Sequence, residues 1–471
     1  MFKTVKKYLR KDFSWIPPEN PTHNYSSLTG KLLLRHEIPY EDEKVNQLIA
    51  QSILIKVTSI ESYPWGHRCR RCGNTKSYLF AKMPHASCGQ SCLYCRSCIQ
   101  MGRVIECEPL YYGSSGFEWP PHDNPCQWDG ELTIHQKKAA DELVALVRTG
   151  SGEKLVWAVC GAGKTEILFP ALTEALKKGK RICLATPRTD VVRELLPRLQ
   201  KSFPGVNIQA LYGDSQDKVG DAPFIIATTH QLLRFAHAFD VMIIDEVDAF
   251  PFHNDVSLHY ASERAAKPKA SIIYLTATPR KKQKRRIRAK DLPVVFIPQR
   301  FHAHPLPVPQ LKLTPTLHRY LQKGELPPKV LQQIIYQQQT PRQLLLFLPS
   351  IKMAEQVAAY LKERNYDVQS VHAEDNQRAE KIQAFRKKEY RVLITTTILE
   401  RGVTFPSVDV YVIDAGHVVF DEAALVQIAG RAGRSPDDPT GDVIFYHIGK
   451  TDEMLDAVES IRYMNKLGRK L

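Results

Sequence analysis

The chain has 471 residues, of which 43% are hydrophobic and 24% charged, and its formal net charge is +15. This composition is globular, so a disordered or fibrous protein is excluded, and no apolar run approaches the roughly 18 residues that would span a bilayer. The positive balance favours a polyanionic partner, either nucleic acid or an anionic membrane surface. The basic start of the sequence, MFKTVKKYLRKDF, lacks the apolar stretch of a secretory signal. We therefore expect a cytosolic protein.

The first part of the chain contains no recognisable motif. Residues 1–66 have strand-like pieces at 31–35 and 53–60 and a helical stretch at 43–50, and we treat them as an N-terminal segment of unassigned fold. Residues 67–127 contain eight of the ten cysteines. In a long cytosolic chain, such clustering indicates metal binding more often than disulfides. The sequence therefore predicts a small cysteine module at 67–127.

From residue 128 onward, strand-like and helical patterns alternate in two successive runs. The strand-like segments are 155–159, 181–185, 223–227, 241–244 and 271–275 in the first run, and 343–348, 367–372, 391–395, 409–413 and 442–446 in the second. Helical patterns separate them, as at 166–178 and 189–201, and a terminal helix follows from Thr451. This order is typical of parallel sheets covered by helices. It predicts one α/β lobe at 128–300 and another at 316–471, joined by a proline-rich linker at 301–315.

A phosphate-binding loop follows the first strand of this alternation. The sequence there is Ala-Val-Cys-Gly-Ala-Gly-Lys-Thr, a phosphate loop in which alanine replaces the first glycine. Glycines let successive backbone N–H groups point at phosphate oxygens, while the lysine reaches the β and γ phosphates and the threonine hydroxyl holds magnesium. A tight turn without a ligand is the alternative, which the Gly-Lys-Thr run disfavours. The predicted nucleotide-binding residues are Ala158, Gly161, Ala162, Gly163, Lys164 and Thr165.

An acidic pair follows a later strand of the same run. Asp245 and Glu246 come directly after the apolar segment 241–244. The carboxyl end of a parallel strand is where such sheets bind ligands. We predict that Asp245 holds the magnesium ion and that Glu246 orients and deprotonates the attacking water. A solvated acidic turn is the alternative, and the phosphate loop argues against it.

Two arginines in the second run complete the predicted ATP site. Residues 427–434 read Gln-Ile-Ala-Gly-Arg-Ala-Gly-Arg, which places Arg431 and Arg434 three residues apart on one side of a helical turn. Arginines supplied by a second lobe can stabilise the charge that develops on the γ-phosphate. We predict that Gln427, Arg431 and Arg434 act in hydrolysis. An exposed basic helix end is the alternative.

Further short motifs resemble those of superfamily-two helicases, in the same order, over about residues 130–450. Gln136 is similar to the adenine-reading glutamine of that family. The resemblance implies two RecA-like parallel-sheet lobes in tandem, preceded here by the small cysteine module. It also implies that Thr276–Thr278 couples hydrolysis to lobe movement. Val247 departs from the Asp-Glu-Ala-Asp form of RNA helicases, which disfavours that branch. The residues implied to face the phosphates of a nucleic-acid strand are Arg188, Thr228, Thr229 and Thr395.

The cysteines of the module are spaced as metal ligands. Cys69-Arg-Arg-Cys72-Gly is one Cys-x₂-Cys knuckle, and Cys95-Arg-Ser-Cys98 is a second about twenty residues later. Two such pairs fit a tetrahedral structural zinc site. We predict one structural Zn²⁺ bound by Cys69, Cys72, Cys95 and Cys98.

Other pairings and other residues remain open in this module. Cys88 with Cys92, or Cys92 with Cys95, are alternatives for the second pair. We expect His67 and His85 to be ordinary surface histidines. Cys107 and Cys126 lack partners at ligand spacing, and we expect them to pack as small apolar groups.

The cysteines precede the two helicase-like lobes, and this position narrows the resemblance from the helicase superfamily to one family. Two segments are similar to the ComFA family: residues 94–103, Tyr-Cys-Arg-Ser-Cys-Ile-Gln-Met-Gly-Arg, and residues 245–252, Asp-Glu-Val-Asp-Ala-Phe-Pro-Phe. The resemblance as a whole covers about residues 65–450. The resemblance implies a single-stranded-DNA-stimulated ATPase that uses ATP with Mg²⁺ and draws transforming DNA inward at the inner face of the cytoplasmic membrane. It implies as partners single-stranded DNA, a membrane DNA-import channel, a phosphoribosyltransferase-like competence protein and a recombination mediator.

A basic run and two competing functions complete the interpretation. Residues 280–290 contain eight positive charges in eleven positions. The run is either a DNA-tracking surface or a solvated helix face. The same motor core is also compatible with a duplex-unwinding DNA helicase or an RNA remodeler. A zinc-dependent DNA-binding scaffold with a vestigial ATPase is a non-enzymatic alternative, which the intact motif residues disfavour.

Overall fold

The fold is that of a computed structural model, which describes residues 25–114, 116–215, 219–401 and 405–469. The basic start of the sequence lies outside these residues. The described chain divides into two compact units. One contains the residues up to Gly130 together with Asp141–Lys154 and Phe169–Tyr274, and the other contains Glu131–Ala140, Leu155–Leu168 and the residues from Leu275 onward.

The N-terminal region is built from short antiparallel strands. Its elements are β1 (Leu32–Leu33), α1 (Asp42–Ala50), β2 (Leu54–Val57), β3 (Ile60–Tyr63), β4 (Gly66–Cys69), β5 (Phe80–Pro84), β6 (Ser91–Cys95), β7 (Val104–Ile105) and β8 (Leu110–Gly113). β8 lies between β1 and β2, β3 pairs with β4, and β6 lies between β5 and β7. The strands β1 and β2, which the sequence predicted within residues 1–66, therefore share a sheet with β8, which follows Cys107.

A parallel sheet follows the N-terminal region. Its elements are α2 (Ile134–Thr149), β9 (Gly152–Ala158), α3 (Phe169–Lys177), β10 (Ile182–Thr186), α4 (Thr189–Ser202), β11 (Ile208–Leu211), β12 (Phe224–Thr228), β13 (Phe239–Ile244), α5 (Val256–Ala265), β14 (Ala266–Thr276), α6 (Lys281–Arg288) and β15 (Val294–Ile297). The strand order is β11-β12-β10-β13-β14-β9-β15. β10 and β12 are buried along their whole length, as expected for strands of a parallel sheet covered on both faces.

The second sheet is also parallel. Its elements are β16 (Gln310–Leu313), α7 (Leu317–Leu321), α8 (Pro328–Gln338), β17 (Gln343–Phe347), α9 (Ile351–Lys362), β18 (Val368–Val371), α10 (Arg378–Arg386), β19 (Val392–Thr395), β20 (Val408–Ile413), α11 (Glu422–Ala429), β21 (Val443–His447) and α12 (Asp452–Arg469). The strand order is β16-β21-β20-β17-β19-β18, with parallel pairing throughout. Leu344, Val357 and Ile394 belong to its core.

The predicted fold class, two parallel-sheet α/β lobes behind a cysteine region, is confirmed. Within the two parallel sheets, three described strands had no counterpart in the sequence analysis: β11, β15 and β16, each at the edge of its sheet. Each of the three has only four residues, so none provides a long apolar run. β16 lies within 301–315, where proline content predicted an extended linker. The last part of the predicted linker is therefore a strand of the second sheet. Among the described residues, no helix combines the length and apolarity needed to cross a membrane.

The cysteine region shares its core with the lobe that follows it. Leu34, Val104 and Leu110 pack in the same hydrophobic cluster as Ile225 and Phe239. This cluster also contains the four cysteines of the two predicted knuckles. The zinc-ligand candidates are therefore part of the interior of this compact unit.

Arg71, inside the first knuckle, connects the same parts by polar contacts. Its side chain is fully buried, and it donates to Glu37 at 2.8 Å, to the Met101 carbonyl at 2.8 Å and to the Leu233 carbonyl at 3.4 Å. Arg234 also donates to Glu37, at 2.9 Å. Although burial opposes ionisation of Glu37, the Arg71 guanidinium and the Leu34 N–H lower its pKa. The buried pair is thus charged and hydrogen-bonded at neutral pH.

Candidate nucleotide and metal sites

The predicted phosphate loop is a tight turn between β9 and a short helical turn. Gly161 and Gly163 have φ angles of 80° and 68°, a region that glycine adopts without steric cost. The Ala162 N–H donates to the Val159 carbonyl at 3.2 Å. A 3-10 turn at Glu166–Leu168 precedes α3, so the α-helix begins three residues later than the sequence pattern predicts. Lys164 and Thr165 follow the loop and are half-buried.

Gln136 contacts this loop directly. Its side-chain amide donates to the Ala162 carbonyl at 2.9 Å, and its side-chain oxygen accepts the Thr133 N–H at 2.8 Å. A Cβ added at Gly163 would lie 2.5 Å from the Gln136 amide nitrogen. Gly163 is therefore required for the close approach as well as for the backbone conformation. The structure brings the predicted adenine-reading residue and the predicted phosphate loop together.

Trp157 joins the strand of the phosphate loop to the predicted coupling motif. Its indole N–H donates to the Ala277 carbonyl at 2.9 Å in the protein interior. Beside it, the Thr278 N–H donates to the Thr276 hydroxyl at 2.9 Å. The Thr-Ala-Thr turn is therefore fixed both internally and by a side chain of β9.

Cys160 joins the phosphate loop to the arginine motif. Its thiol donates to the Gln427 side-chain oxygen at 3.0 Å, and both residues are buried. The Gln427 side-chain nitrogen has no hydrogen-bond partner among the described residues. A Cβ added at Gly430 would lie 2.6 Å from the Cys160 Cβ, so only glycine permits this packing. The structure thus brings together the two motifs that the sequence analysis assigned to one ATP site.

Arg300 fixes the turn that holds Arg431 and Arg434. It donates to the carbonyls of Ala432 at 2.8 Å and Gly433. Burial lowers the pKa of Arg300 to about 10, and the neighbouring Arg434 guanidinium acts in the same direction. At neutral pH the Arg300 side chain is still a cation, so it offers charge-assisted hydrogen bonds to the turn.

The two predicted finger arginines differ in burial. Arg431 is 2% exposed and donates through Nε to the Glu400 carbonyl at 3.2 Å. Arg434 is half-buried and donates through Nε to the Gly430 carbonyl at 3.0 Å. Glu400, Arg401 and Gly402 resemble another superfamily-two motif, and Gly402 lies outside the described residues.

The acidic pair occupies the carboxyl end of β13. The Asp245 N–H donates to the Ala185 carbonyl at 2.8 Å, which continues the pairing of β13 with β10. The Asp245 carboxylate accepts the Glu246 N–H at 2.9 Å. Glu246 has a φ of 53°, in the left-handed region that a non-glycine residue rarely adopts. Such conformations concentrate at functional sites, because the surrounding structure must enforce them.

The residues implied to contact a nucleic-acid strand are either buried or paired with another side chain. Arg188 forms a bidentate pair with Asp190, at 3.0 and 2.6 Å. Thr228 is 7% exposed, while Thr229 and Thr395 are fully buried. The Thr395 hydroxyl donates to the Thr396 carbonyl at 3.2 Å.

The four predicted zinc ligands converge. The Sγ atoms of Cys69, Cys72, Cys95 and Cys98 all lie within 4.8 Å of one another, and all four residues are buried. The Cys69–Cys98 and Cys72–Cys95 separations are 3.7 and 3.6 Å. A tetrahedron with zinc–sulfur distances of about 2.3 Å has edges of about 3.8 Å, so these thiols fit Zn²⁺. The Asn74 side-chain amide donates to the Cys95 sulfur at 3.7 Å, as an outer partner of a metal ligand does.

One expectation for the neighbouring residues is wrong: Cys107 is exposed, with its thiol 3.3 Å from His85 Nδ1, and does not pack as an apolar group. His85 is half-buried, and its other ring nitrogen lies 3.4 Å from the Glu108 carboxylate. Cys126 is half-buried, and it lies in neither group of metal-ligand candidates among the residues described.

The sequence analysis did not identify Trp157, Cys160 or Arg300. Trp157 and Arg300 act through backbone carbonyls, which leave no pattern of side-chain types. Cys160 stands at a variable position of the phosphate loop. Its place directly before Gly161 is the only sequence feature that points to it.

Comparisons with known proteins define the class. Residues 129–281 match the family of the type III restriction enzyme res subunit, and residues 327–436 match the helicase conserved C-terminal domain. A solved structure of Saccharomyces cerevisiae Dbp5 bound to RNA and ADP BeF3 has the same fold, with a TM-score of 0.52 and 18% identity over 70% of this chain and 87% of that chain. The chain is an ATP-hydrolysing, helicase-like enzyme of superfamily two.

Further comparisons identify the family to which the chain belongs within this class. Residues 20–112 match the competence protein ComFA N-terminal domain. Competence protein ComFA of Bacillus subtilis (strain 168) is 46% identical over 94% of this chain and 96% of that protein. ComFA of Streptococcus pneumoniae is 41% identical over 79% of this chain and 86% of that protein. The chain belongs to the ComFA family of competence proteins.

Proposed function

We propose that this chain is a single-stranded-DNA-dependent ATPase and translocase that drives transforming DNA across the cytoplasmic membrane during competence. The observation that carries the proposal is the contact between the phosphate loop and the arginine motif, through Cys160, Gln427 and Gly430, in a member of the ComFA family. A motor needs such a contact, because hydrolysis at the phosphate loop must alter the position of a second element.

The first step of the proposed mechanism is nucleotide binding. Gly161 and Gly163 turn the backbone so that N–H groups face the phosphates, and Lys164 neutralises the β and γ phosphates. Thr165 and Asp245 would hold Mg²⁺, which would neutralise phosphate charge. Ala158 closes the end of β9, where it is fully buried beneath the loop. Gln136 reads adenine and reports occupancy to the loop through its hydrogen bond to Ala162.

Hydrolysis is the second step. Glu246, held in a left-handed conformation, orients the attacking water and accepts its proton. Arg431 and Arg434 stabilise the negative charge that develops on the γ-phosphate. Gln427 positions this motif against Cys160, and its unsatisfied side-chain nitrogen is available to a phosphate oxygen or the attacking water.

Strand contact is the third step. We assign the phosphate contacts to Arg188, Thr228, Thr229 and Thr395. Arg188 must exchange its bidentate pair with Asp190 for a strand phosphate, which a charge-assisted bond to phosphate permits. Thr229 and Thr395 are buried, so their contribution comes through the adjoining backbone.

Zinc has a structural role in this proposal. The four buried thiols of Cys69, Cys72, Cys95 and Cys98 would hold one Zn²⁺, which would lock the two knuckles into the core of their compact unit. All four positions are thiols, so no position remains for a catalytic water. We assign the 67–127 region to this role, 128–300 and 316–471 to the motor lobes, and 301–315 to their connection.

The cellular setting follows from the family. We place the chain in the cytoplasm, peripherally at the inner face of the membrane, beside the DNA-import channel. A phosphoribosyltransferase-like competence protein and a recombination mediator are the further partners proposed. Support for these partners is membership of the ComFA family alone.

The test is stimulation of the ATPase of the purified chain by matched nucleic acids. Single-stranded DNA, duplex DNA and single-stranded RNA of one length and sequence are compared at one salt concentration, because strand affinity depends steeply on salt. We expect single-stranded DNA to raise turnover most, without release of a labelled strand from a duplex with a single-stranded tail. Equal stimulation by RNA would indicate an RNA remodeler, and strand release would indicate an unwinding helicase.

A further inference from the structure

A second group of potential metal ligands lies at the turn between β5 and β6. His85, Cys88 and Cys107 each place one ligand atom within 4.8 Å of the others. Cys92 adds a fourth donor, because its sulfur lies 3.2 Å from that of Cys88. None of these residues belongs to the four-cysteine cluster. The donor set is three thiols and one imidazole, a combination that structural zinc sites use.

The backbone at His85 repeats that of the first zinc knuckle. In Cys69-Arg-Arg-Cys72-Gly73, the Cys69 N–H donates to the Asn74 carbonyl at 2.9 Å and the Gly73 N–H donates back to the Cys69 carbonyl at 2.8 Å. In His85-Ala-Ser-Cys88-Gly89, the equivalent bonds run from His85 to Gln90 and from Gly89 to His85, both at 2.9 Å.

The glycine that ends each turn also matches. Gly73 has a φ of 71° and Gly89 a φ of 68°. This turn directs the side chains of its first and fourth residues to the same side, which is what a metal knuckle requires. The spacing His-x₂-Cys-Gly is therefore a knuckle with imidazole in place of the first thiol.

The imidazole is oriented as in a zinc site. Its Nδ1 lies 3.3 Å from the Cys107 sulfur, and its Nε2 lies 3.4 Å from a Glu108 carboxylate oxygen. Histidines that bind zinc through one nitrogen usually donate the other N–H to a carboxylate, which fixes the tautomer and raises the basicity of the ligand. Glu108 is adjacent to Cys107, so one short segment supplies both a ligand and the outer carboxylate.

We propose that His85, Cys88, Cys92 and Cys107 form a second zinc site, with Glu108 positioning the His85 imidazole. The site ties the turn between β5 and β6 to the segment between β7 and β8. Its chemistry differs from that of the buried cluster, because Cys88 and Cys107 are exposed. Zinc at this site exchanges with solvent faster than zinc bound by Cys69, Cys72, Cys95 and Cys98.

The test measures zinc content and exchange in the full purified chain. Elemental analysis is expected to give two zinc ions per chain. A soluble chelator is expected to remove one ion quickly and the other slowly. Cys107→Ser and His85→Ala are each expected to leave one ion, the slowly removed one, whereas Cys126→Ser, the matched control, retains both.

A variant that supplies a different fourth ligand distinguishes loss of metal binding from general damage to the fold. His85→Cys restores a fourth donor, so we expect this variant to keep two ions while His85→Ala keeps one. Cobalt loading supplies an independent readout, because the ligand-field bands of His85→Cys should shift from those of a three-thiolate site toward those of a four-thiolate site. Glu108→Gln is expected to weaken the rapidly exchanging ion by about 10–100-fold, with both ions still bound at saturation.

Three results would overturn the proposal. One is a wild-type chain with a single zinc whose content Cys107→Ser does not change. Another is retention of the rapidly exchanging ion by His85→Ala. The third is a Cys88–Cys92 disulfide in protein purified without oxidant, seen as an intact mass lower by two hydrogens, since those sulfurs would then be unavailable to zinc. The ATPase is not read in this experiment, so its outcome is independent of the proposed motor function.

Discussion

The phosphate loop and the first cysteine knuckle are both tight turns with glycine in the left-handed region, yet they relate to the core in opposite ways. At the phosphate loop, buried hydrogen bonds of Gln136 and Cys160 hold the turn. Lys164 and Thr165, the side chains proposed to contact the nucleotide and its metal, are only half-buried. At the knuckle, the functional atoms of Cys69 and Cys72 are themselves part of the core. Substitutions should therefore change rate at the loop and stability at the knuckle.

The largest expected effect is at the arginine motif. Arg434→Ala and Arg431→Ala should each lower the maximal rate of ATP hydrolysis, by up to about 10³–10⁵-fold, since finger arginines act on charge that grows in the transition state. ATP affinity should change far less, as measured by titration with a fluorescent ATP analogue. Arg364→Ala, at an exposed residue just beyond the end of α9, is the control. Loss of affinity with an unchanged maximal rate would show that the arginines act in the ground state instead.

Glu246 and Lys164 should produce the next largest effect. Glu246→Gln removes the proposed general base and should slow turnover by about 10²–10⁴-fold while bound ATP is retained. Lys164→Ala should slow turnover to a similar extent, with single-strand binding largely intact. Both variants should melt like the parent, because neither side chain is part of a core cluster. Turnover near that of the parent in either variant would refute the assignment, and Lys178→Ala, at the exposed residue directly after α3, is the control.

The cysteine knuckle should show the opposite behaviour. Cys72→Ser and Cys98→Ser should each lower zinc content by one ion per chain and make residues 67–113 sensitive to protease, because structural zinc contributes on the order of 10 kcal/mol to the folding of small modules. Some ATPase should remain, since the phosphate loop and the arginine motif lie in the other compact unit, and the rate should fall because Asp245 and Glu246 share the unit of the cysteines. Limited proteolysis with elemental analysis measures both effects. Unchanged zinc in both variants would mean that these thiols are not the ligands.

The smallest effect is expected on the basic helix α6. Arg280 and Lys284 pair with Asp421 and Glu422 at 2.8 Å, and Arg286 pairs with Asp291. The exposed cations of the run are Lys281, Lys282, Arg285, Arg288 and Lys290, and the first three of these are chosen for replacement. Replacing these three by alanine should weaken single-strand binding without sequence preference.

The same variant should flatten the dependence of binding on salt, by about 0.7 for each strand phosphate that is no longer neutralised. Salt titrations of single-strand affinity measure this slope. The matched control replaces three exposed cations of and beside α9, namely Lys352, Lys362 and Arg364. Equal slopes for the two triple variants would assign α6 to a solvated face.

The same contrast explains what the sequence could predict. Three motifs of the ATP site, the Gly-Lys-Thr run, the acidic pair and the arginine motif, each consist of residues that are neighbours in the sequence. Their chemistry can therefore be predicted without the fold. The roles of Trp157 and Arg300 depend on backbone carbonyls that a distant part of the chain presents. The relation of His85 to Cys107 depends on two neighbouring hairpin segments, and a His-x₂-Cys spacing without the turn geometry predicts nothing. Edge strands such as β16 were not predicted from the sequence, because their apolar pattern is too short.

The most direct test of the central claim, that ATP hydrolysis by this chain drives DNA uptake, is internalisation of labelled DNA by competent cells. In a Bacillus subtilis strain that lacks its own ComFA, the parent chain and the Glu246→Gln variant are expressed at equal levels, and nuclease-protected DNA is measured beside surface-bound DNA. We predict that the variant leaves surface-bound DNA unchanged and reduces protected DNA to the level of the strain without ComFA. Protected DNA at the level of the parent chain would contradict the account.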